Sequence, residues 1–431
     1  MSEPLRLGIA GLGTVGTGVV KIVQKHGDML AMRAGRAVEI TAVSARDAGK
    51  DRGVDLSGYE WVDDAADLAG RADVDVVVEM IGGSEGLAKT LVKAALSNGK
   101  HVVTANKALL AHHGFELAKL AEDHNVSLAY EAAVAGGIPI IKAMREGFAG
   151  NRIDGVFGIL NGTCNYMLTA MRETGRDFDV ILKEAQEAGY AETPPDLDID
   201  GIDAGHKLAL LSSIAFGVKP DFGNLKITGI RGITADDIAY ADEFGYRIKL
   251  LGIAKRVDGK LMQVLEPCLV PLSNPIGTVE DVYNAVCVVC DSVETPLLTG
   301  KGAGEGPTAS AVMSDIVDIA RGFHVPTFGI PADDLQEPAW MALEDTHSRY
   351  YLRLMVLDQP GVIADISAIL RDEDISIEGL LQRGRDPGQP VPVVLTTHEV
   401  RHGAVMRACA AFNDLDVVTE EPCLMRIEAL E

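Results

Sequence analysis

The sequence predicts an α/β protein: a doubly wound parallel sheet at the N-terminus, then an α+β domain, then a smaller C-terminal domain. Three observations predict this fold class. Near-continuous runs of branched apolar residues alternate with helical segments over residues 1–135, as they do when helices cover both faces of a parallel sheet. A glycine-rich turn joins the first of these strands to the first helix. A self-contained pattern of strands and helices restarts over residues 348–431.

The first domain begins with a strand over residues 5–10, which runs directly into the turn 11–16 and then into a helix. Further strands are predicted at residues 38–43, 74–78, 101–104 and 126–131, with helical segments near 64–69, 88–97 and 114–125 between them. This alternation defines a Rossmann-type doubly wound domain. We assign residues 1–135 to it. We expect residues 309–335 to pack back on it, because the helix predicted at 309–321 is apolar on one face.

The middle of the chain, residues 136–308, has a mixed pattern with strands predicted at 153–160, 249–257, 262–270 and 284–289. We interpret it as an α+β substrate-binding, catalytic and dimerisation domain whose exposed sheet pairs subunits into a homodimer or homotetramer. Residues 331–338, rich in proline and acidic residues, are typical of a linker. The last domain has strands at 351–357, 375–381, 391–397 and 423–428 and helices at 362–371 and 402–413. Their order, βαββαβ, predicts a ferredoxin-like unit.

Composition excludes several classes of protein. With a formal net charge of −24 and no long run of Lys or Arg, the chain is not expected to bind nucleic acid. No stretch approaches the roughly 20 apolar residues of a membrane span, so we expect a cytoplasmic protein without membrane contact. Cys287 and Cys290 have the C-x-x-C spacing of a redox or metal pair. Alternation along a strand would place the two thiols on opposite faces, which favours core cysteines.

The turn Gly11-x-Gly13-x-x-Gly16 has the spacing of a dinucleotide-binding fingerprint. Its glycines permit a tight turn, close approach of a pyrophosphate and close helix packing. The helix that follows the turn offers the free N–H groups of its N-terminus to the phosphates. The alternative is a turn with a purely structural role, but its place between a strand and a helix favours a dinucleotide.

The residues after the second strand bear on the choice of cofactor. The sequence there is Ser44-Ala-Arg46-Asp47. Arg46, helped by Lys50 or Arg52, would meet the 2′-phosphate of NADP, whereas Asp47 would bind the ribose of NAD. We favour NADP because the arginine comes first after the strand. The alternative is that these are solvated surface charges.

Two lysines stand where ligands of such folds collect. Lys107 follows the fourth strand, at the carboxyl edge of the sheet. Lys207 comes four residues after Asp203 and therefore shares one helical face with it. Such a pair is often a surface salt bridge. The acidic residues that precede this pair indicate instead a pocket where carboxylates bind a substrate ammonium and a lysine protonates a carbonyl oxygen. Calcium is the alternative for an acidic loop, but this loop lacks EF-hand spacing.

Five segments together resemble homoserine dehydrogenase. They are Thr104-Ala-Asn-Lys107, Glu131-Ala-Ala-Val-Ala-Gly-Gly-Ile-Pro139, Asn161-Gly-Thr-Cys-Asn-Tyr166, residues 189–207 and Gly302-Ala-Gly-Glu-Gly-Pro-Thr-Ala-Ser-Ala311. The resemblance covers most of residues 5–325. It implies reversible hydride transfer between L-aspartate 4-semialdehyde and L-homoserine with NADP or NAD, on the route to threonine, methionine and isoleucine. Because no aspartate-kinase region precedes residue 1, we expect a monofunctional chain.

The resemblance also implies roles for single residues. Lys207 would be the proton donor and acceptor, and Lys107 would help to position substrate and cofactor. Glu192 and Asp203 would bind the amino-acid part of the substrate, supported by Asp198 and Gly189. The other implied contacts are those of the cofactor, with Gly11, Gly13, Thr14, Val15, Gly16, Arg46, Lys107 and Gly304, and those of a sodium ion, with the main-chain carbonyls of Glu131, Val134, Gly136 and Ile138.

The chain departs from the family at two positions. Cys164 stands where members commonly have threonine, and Pro194 stands where they have aspartate before the proline. A thioester mechanism through Cys164 would need a histidine partner, and none is visible nearby in the sequence. We therefore interpret Cys164 as a packing substitution. Pro194 reshapes the loop beside Glu192 and leaves the substrate contacts there open.

The C-terminal domain resembles an ACT domain through Asp358-Gln-Pro-Gly-Val362 and Ile375-Ser-Ile-Glu378. In this family such a domain implies feedback inhibition by threonine, bound at the Pro360-Gly361 loop or at a module interface. Turn chemistry alone also explains Pro-Gly, and some ACT modules only dimerise. Two alternatives to the dehydrogenase stay open. A non-catalytic amino-acid and nucleotide sensor would bind without turnover, and another semialdehyde oxidoreductase would reveal itself by a phosphate requirement.

Overall fold

The computed structural model describes residues 3–383 and 388–430. The chain divides into two compact units. The first comprises the residues up to Gly162, Asp203–Leu225 and Val282–Pro338, and the second comprises Thr163–Ile202, Lys226–Asp281 and the residues from Ala339 onward. Each unit is therefore assembled from three segments that are distant in sequence. Within the two described ranges no helix is long and apolar enough to cross a membrane.

The strands described are, in chain order, β1 (Leu5–Ala10), β2 (Val38–Ser44), β3 (Glu60–Trp61), β4 (Val76–Glu79), β5 (His101–Thr104), β6 (Leu128–Ala129), β7 (Ile153–Ile159), β8 (Lys226–Ile227), β9 (Tyr246–Val257), β10 (Lys260–Pro271), β11 (Tyr283–Cys290), β12 (Leu297–Lys301), β13 (His347–Leu357), β14 (Ile377–Gln382), β15 (Pro390–Thr397), β16 (Val400–Arg401) and β17 (Cys423–Ile427).

The α-helices described are α1 (Thr14–Ala34), α2 (Leu87–Ser97), α3 (Lys107–Asp123), α4 (Ile140–Lys142), α5 (Gly162–Thr174), α6 (Phe178–Glu187), α7 (Asp196–Ile199), α8 (Ile202–Phe216), α9 (Ala235–Glu243), α10 (Glu305–Ala320), α11 (Val362–Asp372) and α12 (His402–Asn413). Short 3₁₀ helices lie at Ala65–Gly70, Glu131–Ala133, Pro275–Thr278, Ala332–Asp334 and Leu343–Asp345, and a π-helical turn lies at Ala143–Gly147.

The first unit contains a six-stranded sheet in the order β3-β2-β1-β4-β5-β6, and the neighbouring strands are parallel. The strand order reverses between β1 and β4. This reversal is the switch point at which doubly wound folds bind their ligands, outside the carboxyl ends of the strands. The predicted doubly wound fold is therefore confirmed.

The start of α3 differs from the prediction. The helix begins at Lys107, whereas the sequence pattern placed its start at residue 114. The reason is an N-cap in the turn after β5, where the Asn106 side chain accepts a hydrogen bond from the N–H of Leu109 at 3.0 Å. Asparagine is among the strongest capping residues, so the helix starts as soon as the strand ends. Lys107 consequently occupies the first helical position rather than a loop.

The helix α10 packs against α1 within the first unit. Val312 and Ile316 of α10 are buried in the same apolar core as Val19 of α1. Gly18 permits this close approach, because a Cβ there would lie 2.9 Å from the Cβ of Ala309. The same unit contains an antiparallel group in which β11 pairs with β7 on one side and with β12 on the other.

The second unit is built mainly on antiparallel strands. The long hairpin of β9 and β10 pairs through β10 with β17, in parallel. The strands that follow are β17, β13, β15 and β14, paired antiparallel in that order. The two-residue strand β16 pairs with β13 beside this order. Without β16, the four strands of the C-terminal domain lie in the order fourth, first, third, second, with α11 and α12 contributing to one apolar core. The predicted ferredoxin-like βαββαβ domain is confirmed.

A buried ion pair joins the C-terminal domain to α9 inside the second unit. The carboxylate of Asp237 is fully buried and accepts hydrogen bonds from Arg353 Nε at 2.7 Å and from the Tyr351 hydroxyl at 2.9 Å. The same carboxylate completes a capping box with Thr234 at the start of α9. Burial, followed by the charge of Asp237, raises the pKa of Tyr351 far above its ordinary value. The network fixes β13 against α9.

Candidate active site

The glycine-rich turn after β1 places its three glycines in different environments. Gly11 has φ of +100°, and a Cβ there would lie 2.5 Å from the carbonyl oxygen of Met80. A Cβ on Gly16 would lie 1.9 Å from the carbonyl oxygen of Gly11, so a side chain cannot fit. Around Gly13 no described atom other than those of Gly13 and its chain neighbours lies within 4 Å of the position of a Cβ. The turn is therefore tightly packed at Gly11 and Gly16, whereas the space beside Gly13 is free for a ligand to approach the main chain.

Thr14 and Val15 open α1 at this turn. The helix has no side-chain cap, and its first turn has no acidic residue. Its first N–H groups lack intrahelical acceptors and carry the positive end of the helix dipole. An anion is stabilised at such an end, which fits the pyrophosphate of a dinucleotide.

The loop after β2 is tied to the glycine-rich turn by Arg52. Its guanidinium donates to the carbonyl oxygens of Leu12 at 3.2 Å, Lys50 at 2.7 Å and Asp47 at 2.5 Å. Arg52 is therefore a structural clamp. The side chains of Arg46 and Lys50 are exposed on the same loop and supply positive charge beside the turn.

Buried polar contacts between β4 and β5 position Lys107. Glu79, the last residue of β4, is fully buried, and its carboxylate accepts the Thr104 hydroxyl at 2.6 Å. The Thr104 oxygen accepts the N–H of Asn106 at 2.9 Å, and the Asn106 amide donates to the carbonyl of Gly83 at 2.7 Å. These bonds fix the turn between β5 and α3. Lys107 is thereby held at the carboxyl edge of the sheet.

Asp203 joins the two predicted lysines. Its Oδ1 lies 3.1 Å from Lys107 Nζ, and its Oδ2 lies 2.6 Å from Lys207 Nζ. Lys207 also donates to the carbonyl of Leu160 at 2.7 Å, and Asn161 donates to Asp203 Oδ2 at 3.1 Å. The structure therefore brings Lys107, Asp203 and Lys207 into one cluster at the start of α8.

The members of this cluster differ in exposure. The side chains of Lys207 and Asp203 are 10% and 13% exposed, whereas that of Lys107 is 39% exposed. Burial alone would raise the pKa of Asp203, but the charges of Lys207 and Lys107 outweigh burial and hold this pKa well below its ordinary range. The carboxylate therefore stays ionised near neutral pH and is a fixed counter-charge for the lysines.

Three rings connect the helices that carry the lysines. His206 of α8 lies 5.4 Å from His112 of α3 and 4.3 Å from Phe222, measured between ring centroids. Burial, and next the neighbouring His112, lower the pKa of His206 to about 4, so this imidazole is neutral near pH 7. The ring contacts hold α3 against α8 and so restrict the distance between Lys107 and Lys207.

The predicted substrate residues Gly189, Glu192 and Asp198 belong to the second unit. Gly189 follows α6 with φ of +76°, a conformation that favours glycine, and Glu192 is exposed on the loop after it. This loop is anchored to the start of α5, because the Thr163 hydroxyl donates to the carbonyl of Tyr190 at 2.6 Å. This hydrogen bond fixes the base of the loop, and the Glu192 side chain is exposed to solvent.

The acidic residues after Glu192 have different roles. Arg231 pairs with Asp196 and with Asp200, each at 2.5 Å, so these two carboxylates stabilise the loop. The carbonyl of Asp198, between them, accepts the thiol of Cys164 at 3.3 Å. Cys164 is fully buried, a position in which its side chain packs and bonds to the backbone.

The segment expected to hold a cation is packed against Gly302. A Cβ on Gly136 would lie 2.5 Å from the carbonyl oxygen of Gly302, so glycine is required there. In the part of the chain that the structure describes, the carbonyls of Val134 and Gly136 accept no hydrogen bond, whereas that of Ile138 accepts the N–H of Ile140 at 2.7 Å. Two of the predicted carbonyl oxygens are thus available to a cation.

The side chain of Glu131 holds this segment from inside. Its carboxylate accepts the N–H groups of Ile141 and Lys142, each at 2.9 Å, and its own N–H donates to Asp315 at 2.8 Å. Burial, and next the charge of Asp315, raise the pKa of Glu131 to about 7. The carboxylate is therefore used for structure, and a cation would meet the main chain.

Gly304 precedes α10 with φ of +112°. Glu305, the first residue of α10, pairs with Lys21 of α1 at 2.8 Å. The pair places the glycine loop before α10, residues 302–304, beside α1, the helix that begins in the glycine-rich turn.

Known proteins are similar to this chain in sequence. Residues 11–131 match the family model described as the NAD binding domain of homoserine dehydrogenase, residues 139–317 match homoserine dehydrogenase, and residues 350–408 match the ACT domain. A homoserine dehydrogenase of Neisseria gonorrhoeae is 43% identical, over 99% of each chain. The chain belongs to the homoserine dehydrogenase family.

Solved homoserine dehydrogenases have the same fold. That of Thiobacillus denitrificans is 42% identical, with a TM-score of 0.94 over 100% of this chain and 99% of that one. A hyperthermophilic archaeal homoserine dehydrogenase in complex with NADPH is 27% identical, with a TM-score of 0.64 over 75% of this chain and 99% of that one. The predicted oxidoreductase is confirmed: it interconverts L-aspartate 4-semialdehyde and L-homoserine with a nicotinamide cofactor, and it has an ACT domain.

Proposed function

We propose that the cluster of Lys107, Asp203 and Lys207 is the proton-transfer centre of this dehydrogenase. The observation that carries the proposal is the carboxylate of Asp203, which contacts both ammonium groups in a largely buried place. A bound nicotinamide dinucleotide supplies the hydride in reduction and accepts it in oxidation. The chain itself must hold the substrate and give or take one proton at the substrate oxygen.

Lys207 is the proton donor and acceptor. An ammonium group has three N–H donors, of which Lys207 uses one on the Leu160 carbonyl and one on Asp203. The third can meet the substrate oxygen. During reduction this N–H stabilises the negative charge that develops on the oxygen and delivers the proton, and during oxidation the neutral amine takes the hydroxyl proton.

Lys107, which is more exposed, helps to position substrate and cofactor. Asp203 has a lysine partner on each oxygen. A carboxylate offers about four lone-pair sites, and Lys107, Lys207 and Asn161 use three of them, so a substrate ammonium can donate to the site that is left on Oδ1. We assign the rest of the amino-acid part of the substrate to Glu192, with Gly189 and Asp198 in the same loop region.

Replacement of Lys207 tests this assignment. Lys207→Ala is expected to lower kcat by about 100-fold or more, because general acid catalysis contributes about 10² to 10⁴, while the affinity for NADPH measured by fluorescence stays within about twofold. Lys219→Ala is the matched control, since Lys219 is a lysine of the same unit paired at the surface with Glu337. Near-normal turnover of Lys207→Ala would exclude the role.

We also propose that the preferred cofactor is NADP. The loop that Arg52 holds beside the glycine-rich turn has positive charge from the exposed side chains of Arg46 and Lys50. The structure of the archaeal relative is that of its complex with NADPH. Arg46→Ala should raise the KM for NADPH about tenfold and leave that for NADH unchanged. Lys25→Ala, on the exposed side of α1, is the control. Equal effects on the two cofactors would contradict the proposal.

A monovalent cation, with sodium as the first candidate, is proposed for the carbonyls of Val134 and Gly136, with those of Glu131 and Ile138. A ligand that binds the folded state raises the melting temperature with concentration. The chain should therefore melt at a higher temperature in sodium chloride than in tetramethylammonium chloride of the same ionic strength. Identical melting curves would contradict the site.

We propose that L-threonine inhibits the enzyme through the ACT domain. The support is the observed βαββαβ fold and the turn before α11, where Gly361 has φ of +101°. Gly361→Ala would strain this turn and should abolish inhibition without loss of basal turnover. D-threonine is the control ligand, and turnover unaffected by L-threonine would contradict the proposal.

Assembly as a homodimer or homotetramer stays a prediction that light scattering can test.

A further inference from the structure

Asn284 of β11 is in an environment that the roles above do not explain. The residue is 1% exposed, and neither the oxygen nor the nitrogen of its carboxamide has a hydrogen-bond partner in the described chain. A buried polar group without a hydrogen-bond partner destabilises the folded chain, because it has lost its hydrogen bonds to water. Its strand neighbours Ala285 and Val286 are buried and apolar, so packing alone would have been satisfied by an apolar side chain. A ligand that hydrogen-bonds to the carboxamide would supply the missing partners.

Two glycines make the room for this carboxamide. A Cβ on Gly302 would lie 2.1 Å from both Cγ and Nδ2 of Asn284, and a Cβ on Gly162 would lie 3.4 Å from Oδ1. The amide thus lies between two stretches of bare backbone. A side chain at Gly302 would displace it.

Both glycines belong to segments of the active site. Gly162 follows Asn161, whose amide donates to Asp203 of the lysine cluster at 3.1 Å. Gly302 starts the glycine loop before α10, the helix that pairs with α1 through Glu305. Asn284 therefore lies between the segment that contacts the proton-transfer cluster and the segment beside the dinucleotide turn.

We propose that Asn284 binds the carboxamide of the nicotinamide ring. A carboxamide presents one donor and one acceptor side by side. The ring carboxamide presents the complementary pair, whereas a substrate ammonium only donates and a substrate carboxylate only accepts. Two hydrogen bonds between the amides satisfy both unpaired atoms of Asn284 at once. They also fix the orientation of the ring relative to the lysine cluster.

The small residues around Asn284 allow such a ligand to enter. Both carboxamide atoms are closed off from solvent, so the loop Gly302-Ala303-Gly304 has to shift when the ring arrives. That loop contains no side chain larger than a methyl group, and Gly304 has φ of +112°. Glycine backbone gives the loop the freedom to move.

Two ligands and two substitutions test the proposal without turnover. The ligands are NADPH and ADP-ribose 2′-phosphate, which lacks the nicotinamide ring. The loss of two hydrogen bonds predicts that Asn284→Ala raises the Kd for NADPH about 5- to 150-fold, while the Kd for ADP-ribose 2′-phosphate stays unchanged. Asn284→Asp, which keeps the shape and loses the donor, should show the same selective loss if the alanine variant does not fold.

A matched control separates this role from loss of a structural amide. Asn98, in the same unit, donates to the carbonyl of Ala69 at 3.0 Å, and Asn98→Ala should leave both dissociation constants unchanged. Equal weakening of the two ligands by the Asn284 variants, or no weakening of either, would overturn the proposal.

Discussion

Asp203→Asn removes the charge that joins the two lysines and keeps the shape of the side chain. The Asn oxygen can accept a hydrogen bond from one ammonium, but its NH₂ group would face the other, donor against donor. The affected contacts are 2.6 Å to Lys207 and 3.1 Å to Lys107. Removal of one partner of a buried ion pair costs about 3–5 kcal/mol. Because Lys107 is 39% exposed and solvent screens its charge, we expect about 3 kcal/mol, mainly from Lys207.

The same substitution should slow turnover. A misplacement of about 1 Å in a catalytic group can cost about 100-fold in rate, and the Asn variant frees Lys207 to move. We expect kcat to fall about 100-fold with the affinity for NADPH unchanged. The measurements are urea unfolding, steady-state turnover and NADPH fluorescence titration on both proteins.

The pH dependence follows from the sign of the pKa shift. The folded-state pKa of Asp203 is depressed, so its stabilisation is fully present above the unfolded-state pKa of about 4. It is lost as the pH falls further, toward the folded-state pKa. The stability difference between wild type and Asp203→Asn should therefore be constant from about pH 5 to 7 and shrink below about pH 4. Equal stability at pH 7, or a kcat within about threefold of wild type, would refute this reasoning.

Two further predictions concern the turn and the buried ion pair. Gly16→Ala should unfold the turn, because the new Cβ would lie 1.9 Å from the Gly11 carbonyl oxygen. Gly13→Ala should keep the fold and lose about tenfold or more in NADPH affinity. Thermal unfolding and NADPH titration distinguish the two variants. Equal behaviour of the two variants would contradict the different roles assigned to Gly13 and Gly16. Asp237→Asn leaves Arg353 uncompensated in a buried place and should cost about 3–5 kcal/mol of stability with near-normal kcat. An unchanged urea midpoint would exclude that estimate.

Much of the fold could be predicted because apolar periodicity is a local property. The strands β1 and β5 and the helix α12 have the predicted bounds, since each is a clear apolar pattern between turns. The start of α3 was missed because it depends on one hydrogen bond from the Asn106 side chain. Periodicity does not reveal such a cap.

The site was predicted where its residues belong to local motifs. The glycine turn and the pair Asp203 and Lys207 are visible as spacings in the sequence. Glu79 and Asn161 were missed as functional residues because their partners are 25 and 42 residues away. A carboxylate at the end of a buried strand was the available signal for Glu79. Asn284 had no signal, because its two glycine neighbours come together only in the folded chain.

The most direct test of the proton-transfer role is the turnover of Lys207→Ala with and without an added alkylamine such as ethylamine. We expect kcat to be about 100-fold or more below wild type and to rise with amine concentration, because a free amine can enter the space left by the side chain and supply the missing proton. NADPH affinity should not change. Turnover within about threefold of wild type, or a loss that the amine does not restore while NADPH affinity falls in parallel, would contradict the assignment of Lys207.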